Sequence, residues 1–103
     1  MLPFILDDEA TQEILDGVAY FNRKPPGRGR EFREAVYEVI EFVRKFPQSG
    51  TPHLDRFRKR VVKGFDHTVF YVDYPDHIWV VSVYPARRQP DTWIDRLHPP
   101  DPA

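Results

Sequence analysis

A chain of 103 residues and 12.2 kDa has room for one domain around one hydrophobic core. Hydrophobic residues make up 41% and aromatics 15%, enough for a packed interior, whereas 30% charged residues and the lack of a long apolar run exclude a membrane-spanning segment. The absence of cysteine excludes disulfides, thiolate metal sites and thiol redox chemistry, and a formal net charge of -1 gives the whole molecule no strong field for nucleic acid.

Charge is nevertheless unevenly spread. Asp7, Asp8, Glu9, Glu13 and Asp16 load the first twenty residues with acid, while Arg56, Arg58, Lys59, Arg60 and Lys63 crowd one segment and Arg87 and Arg88 form a second basic spot. If those two segments fold together, they form a local positive patch. The N-terminus has a short apolar run but no basic region before it and acids directly behind, the wrong pattern for a secretory signal, so a cytoplasmic location is expected.

In chain order, the apolar residues Leu2 to Leu6 followed by Asp7 and Asp8 predict a short strand that stops at a helix cap, with Pro3 favouring a sheet edge. From Glu9 to about Phe21, the recurrence of Ala10, Ile14, Val18 and Phe21 predicts an amphipathic helix with acids in its first turn. The acids around its start read as solvated caps. Asn22 to Gly29 holds two prolines and two glycines and must turn, which accounts for Gly27 and Gly29.

A second helix is predicted from about Arg30 to Phe46, with Phe32, Val36, Val39, Ile40, Val43 and Phe46 on one face. A short connection between two such helices implies an antiparallel hairpin, ended by Pro47 and Ser49-Gly50-Thr51-Pro52. Phe57 to Val62, Thr68 to Asp73 and Ile78 to Tyr84 are rich in β-branched and aromatic residues and are separated by turn-sized gaps, so they predict a three-stranded antiparallel meander. The last of these is apolar on both faces and should be central. A helical turn at Asp91 to Leu97 and a frayed tail complete an α+β arrangement: N-terminal strand, helical hairpin packed on a small antiparallel sheet, short C-terminal helical turn.

His53, His67, His77 and His98 lack metal-site spacing, and no glycine-rich phosphate loop is present, so neither metal nor cofactor is expected. The order of elements alone decides no function. The residue pattern adds more. Ala10 opens the first helix, Lys45-Phe46-Pro47 ends the second, Arg58-Lys59-Arg60 marks the first meander strand, and Gly64-Phe65 precedes Val69-Phe70-Tyr71. The chain then closes on Val83-Tyr84-Pro85-Ala86-Arg87-Arg88-Gln89-Pro90-Asp91-Thr92-Trp93-Ile94-Asp95-Arg96.

From Glu9 through Arg96 this pattern resembles the RelE/ParE superfamily of type II toxins, and on that resemblance residues 1-103 form a single toxin domain. Where many relatives place a His before the paired arginines, this chain has Pro85. The resemblance implies a growth-inhibiting toxin, held by a cognate antitoxin whose disordered segment wraps the toxin along its sheet or hairpin in a hetero-oligomer. An exposed strand edge and apolar grooves suit that wrapping.

The superfamily divides between toxins that inhibit DNA gyrase and ribosome-dependent endoribonucleases that cut mRNA. Attack by a 2′-OH needs a base, an acid and positive charge on the transition state. On the resemblance, Lys63, Arg87 and Arg88 supply charge, Arg58 and Arg60 could hold flanking phosphates, and Arg96 could contact the target. The place of an aromatic hydroxyl in the nuclease branch falls at Trp93, which has no titratable proton, leaving His67 or Tyr84 as substitutes. Trp93 equally suits an anchor for the tail. The balance favours gyrase inhibition, with mRNA cleavage as the alternative and a non-toxic nucleic-acid- or protein-binding domain as a third expectation.

Overall fold

The computed structural model describes residues 1–23 and 25–88. The elements run β1 (Phe4–Leu6), α1 (Asp8–Phe21), α2 (Arg28–Lys45), β2 (Thr51–His53), β3 (Phe57–Val61), β4 (His67–Asp73) and β5 (Ile78–Pro85). The two helices lie together on one face of a sheet with strand order β1-β5-β4-β3-β2. The α+β class, the N-terminal strand and the helical hairpin are therefore as the sequence predicts.

The local causes are legible. Asp7 caps α1, its carboxylate accepting from Glu9 N at 3.0 Å, while Asp8 and Glu9 sit in the first turn where the helix dipole favours negative charge. Arg44 and Lys45 occupy the last turn of α2, where it favours positive charge. Ala10, Ile14, Phe32, Val36, Ile40 and Val43 meet Val62, Val69, Tyr71, Ile78, Val80 and Val83 in the main core. Strand alternation, interrupted in β5 by a bulge opposite Phe70 and Tyr71, places a second apolar cluster of Phe57, Phe70, Val72, Val81 and Tyr84 on the other face of the sheet, as expected for a β5 that is apolar on both sides.

The sheet is larger than the expected meander and is mixed rather than wholly antiparallel. Residues Thr51–His53, expected in a loop, form β2 and pair antiparallel with β3, Thr51 opposite Lys59 and His53 opposite Phe57. Pro52 hides this strand from a propensity argument, yet at a sheet edge its missing N–H leaves no inner bond unmade. At the other edge β1 pairs parallel with β5, Phe4 opposite Ile78 and Leu6 opposite Val80. A three-residue strand carries no signal of direction, and a long crossover is what a parallel neighbour requires.

Gly29 is not part of the turn. It lies in the first turn of α2, buried, and a Cβ there would come within 2.5 Å of the Val18 carbonyl oxygen, so the two helices approach through it. The helical turn expected at Asp91 to Leu97, with Trp93 and Arg96, lies outside the described residues. Among the described residues no helix is long and apolar enough to cross a membrane, and no three His, Cys, Asp or Glu side chains group as metal ligands.

Candidate functional site

The paired arginines follow the end of β5, where Pro85 is buried opposite His67. The backbone is held there by Ala86 N donating to Asp66 O at 2.7 Å and Arg88 N to Pro85 O at 3.1 Å. A proline suits this last ladder position because it offers no N–H to leave unpaired. Both guanidiniums are then about half exposed, and each is drawn to a different carboxylate. Arg87 Nη1 donates to Asp66 Oδ2 at 3.0 Å and its guanidinium lies 4.3 Å above the Tyr20 ring. Arg88 Nη1 is 3.6 Å from Glu13 Oε2, and its guanidinium is 5.9 Å from the Tyr84 ring. Tyr20 belongs to the helical layer and Tyr84 to the cluster beneath the sheet, so the two cations splay apart.

Glu13 corrects the expectation of a solvated acidic helix start. Its side chain is only 5% exposed, wedged where α1 meets β5. Ser82 Oγ and Val83 N both donate to its Oε1 at 3.0 Å. Glu13 lies between Ala10, Ile14 and Gly17 on the face of α1 that packs inward, which is why it cannot reach solvent. An acid within an apolar stripe is the signal that could have identified it, since a carboxylate survives such burial only by finding donors.

His67 begins β4 and turns toward the helices. It is 2% exposed, with its ring 4.6 Å from Phe32 and 5.7 Å from Phe21, centroid to centroid. Its Nδ1 lies 3.0 Å from Asp66 Oδ1 but out of hydrogen-bond alignment. Burial pushes the imidazole below its ordinary pKa; nearby Asp66 opposes this, and Arg87 and Arg88 reinforce it. The ring is thus seated between Phe21 and Phe32. Tyr84, the other proposed proton-transfer group, is 6% exposed among Phe57, Phe70, Val72 and Val81.

Arg58 and Arg60 of the basic strand do not join the paired arginines in one patch. Arg58 turns toward the end of the hairpin, its Nε donating to Asp73 Oδ2 at 3.3 Å and Nη1 to Gly50 O at 3.0 Å, which ties β4 and the loop before β2 to β3. Arg60 Nη1 donates to Ser49 O at 3.3 Å while its guanidinium lies 4.5 Å over Phe42 of α2. Lys63 is in the turn after β3 rather than on the sheet, and is exposed. Arg60, Val61 and Lys63 face Ala35, Glu38, Val39 and Phe42 across a groove of about 340 Å³ between β3 and α2. Val61 is 67% exposed and Phe42 42%, large values for apolar side chains in one groove. Strand β2 reaches only as far as Lys59, so the rim of β3 beyond it has no strand neighbour on that side among the described residues. Residue type gave no signal for this groove, because Val61 and Phe42 look like core residues until the packing is seen.

Comparison with known proteins adds the following. The family model of the ParE toxin of type II toxin-antitoxin systems, parDE, matches residues 4–90. No curated protein matches by sequence. Among solved structures, a chain of the chromosomal ParDE TA system from P. aeruginosa superposes with a TM-score of 0.74 at 8% identity, covering 84% of this chain and 98% of that one. The YoeB dimer from Staphylococcus aureus gives a TM-score of 0.53 at 13% identity, covering 80% and 93%. At these identities the structural likenesses speak for the fold.

Proposed function

The chain belongs to the ParE toxin family of type II toxin-antitoxin systems, and from that premise we propose that it arrests growth by binding DNA gyrase without hydrolysing RNA, and is neutralised by a cognate antitoxin. The observation that carries the choice of target is the seat of His67. A general base must reach the proton it removes, and this ring is only 2% exposed, held against Phe21 and Phe32 on the helical side of the sheet. The charge arrangement supports the same choice: Arg87 and Arg88 diverge, and Arg58 and Arg60 are committed to loop carbonyls. Arg58, Arg60, Arg87 and Arg88 therefore do not converge on one phosphate path beside His67 or Tyr84. Tyr84 is only 6% exposed and packs with Phe57, Phe70, Val72 and Val81, with the Arg88 guanidinium 5.9 Å from its ring, so it offers little surface to a substrate.

On this reading the antitoxin occupies the groove between α2 and β3. An extended segment there would pair with the open rim of β3 and lay apolar side chains against Val39, Phe42 and Val61, a mode of recognition that reuses sheet hydrogen bonding. The test of target is induction of this chain alone in bacteria, with plasmid supercoiling and mapped mRNA ends followed in the same cultures. Growth arrest with altered supercoiling and intact mRNA is expected. Arrest with new mRNA ends at codon-defined positions would establish the nuclease alternative, and absence of arrest by folded protein would point to a binding domain of the same fold.

A further inference from the structure

Twelve residues around the turn of the helical hairpin, 22–33, hold Arg23, Lys24, Arg28, Arg30 and Arg33 against the single acid Glu31, a local charge of +4 in a chain whose net charge is -1. The fold adds cations from distant sequence to this end of the molecule. Arg28 Nη2 donates to Gly64 O at 3.1 Å and its guanidinium lies 4.1 Å over Phe65, which fixes the Lys63-containing turn against the hairpin. Arg87 and Arg23 both lie over the Tyr20 ring, at 4.3 and 5.8 Å. Tyr20, Phe21 and Pro25 form the apolar wall of a cleft of about 480 Å³ that Arg23 and Arg28 also line.

We propose that this pole binds a strand of single-stranded nucleic acid, one base entering the aromatic cleft and its phosphates lying on Arg23, Arg28 and Lys63. Three features favour a nucleic acid over an acidic protein segment. Cations alternate with aromatic rings, the pattern that takes up phosphates and bases together. The cleft lies within the size range of small-ligand sites and has an aromatic wall on which a base can stack, a contact the carboxylate of an acidic side chain does not supply. The guanidiniums are held by ring faces and backbone carbonyls as well as by Glu31 and Asp66, so they are ordered while N–H donors remain for phosphate oxygens. The near-neutral total charge does not oppose this, because binding follows the local field. The site shares Lys63 with the groove of α2 and β3 but has its own cleft, and it does not depend on the gyrase assignment.

The test is fluorescence anisotropy of labelled oligothymidylate with the purified full chain at low salt, beside thymidine monophosphate and polyglutamate as competitors. The chain is expected to bind the strand, with Arg23→Ala and Lys63→Ala each weakening it and each flattening the slope of log affinity against log salt by about 0.7. Lys45→Ala, at the far end of α2, should leave affinity unchanged, and all three exposed substitutions should leave the circular dichroism spectrum as in the parent. Absence of binding, equal affinity in Arg23→Ala and the parent, or competition by polyglutamate or the mononucleotide as effective as by the strand would each overturn the proposal.

Discussion

Replacing Glu13 by Ala probes the buried carboxylate that joins α1 to β5. The substitution deletes the acceptor of Ser82 Oγ–H and Val83 N–H, both at 3.0 Å, and leaves those donors in a site where Ser82 is 0% exposed. A hydroxyl can rotate toward another acceptor, whereas a strand N–H cannot, so the larger share falls on Val83. An unsatisfied buried donor costs about 1–3 kcal/mol, and the contact with half-exposed Arg88 adds at most about 1 kcal/mol. The expected loss is about 3 kcal/mol, which for a chain of this size lowers the melting temperature by roughly 12–24 °C. Glu13→Gln keeps an amide oxygen where Oε1 lies and should lose only about 1 kcal/mol. Thermal unfolding followed by circular dichroism reads both. An Ala variant melting within about 3 °C of the parent, or a Gln variant as damaged as the Ala variant, would refute the assignment of Glu13 as a hydrogen-bond hub.

Further outcomes follow from the same contacts. His67 has a lowered pKa in the folded chain, so the unfolded chain binds the extra proton first, and stability should fall as pH drops through the ordinary histidine value of about 6.5 toward the folded one. Urea titrations between neutral and mildly acidic pH will show it, and His67→Phe should remove that part of the slope. Gly29→Ala should destabilise by about 1–3 kcal/mol, because the added methyl meets the Val18 carbonyl oxygen at 2.5 Å and backbone cannot swing aside. Tyr71→Phe removes the phenol that donates to Pro47 O at 2.8 Å and accepts from Gly50 N at 2.9 Å, and should cost about 1–3 kcal/mol in the same melting assay. Val61→Lys, at an exposed rim position, should leave the melting temperature near that of the parent yet weaken antitoxin binding by at least about tenfold, measured by calorimetry with the cognate antitoxin.

The periodic elements were legible because their patterns are long. α2 shows its apolar stripe over eighteen residues, and β4 and β5 declare themselves through runs such as Ile78-Trp79-Val80-Val81. Elements of three residues leave no such trace: β1 was anticipated from its apolar run but not its parallel pairing, and β2 was hidden by Pro52. Of the candidate site, the arginines after β5 were found from the resemblance, but their acid partners Asp66 and Glu13 were not, since pairings 21 and 75 residues apart arise only from the fold. Arg58 and Arg60 looked like a phosphate-facing patch because sequence gives residue type and alternation without showing which face the helices cover. The structure turns both toward loop carbonyls near the hairpin's end.

The parallel pairing of β1 with β5 also bears on how the chain is made. The N-terminal strand emerges first, yet its neighbour begins 74 residues later, Phe4 against Ile78, and β5 is also the partner of β4. Two strands synthesised far apart in time therefore wait on the same late segment. Such long-range closure slows folding and keeps unpaired edges open meanwhile. During translation the sheet cannot close until residues 78–85 have cleared the ribosomal exit, so a chain truncated before Ile78 would lack the common partner of β1 and β4 and the strand against which α1 docks. In a chain of a toxin family, the native surface therefore cannot exist before β5 has been made.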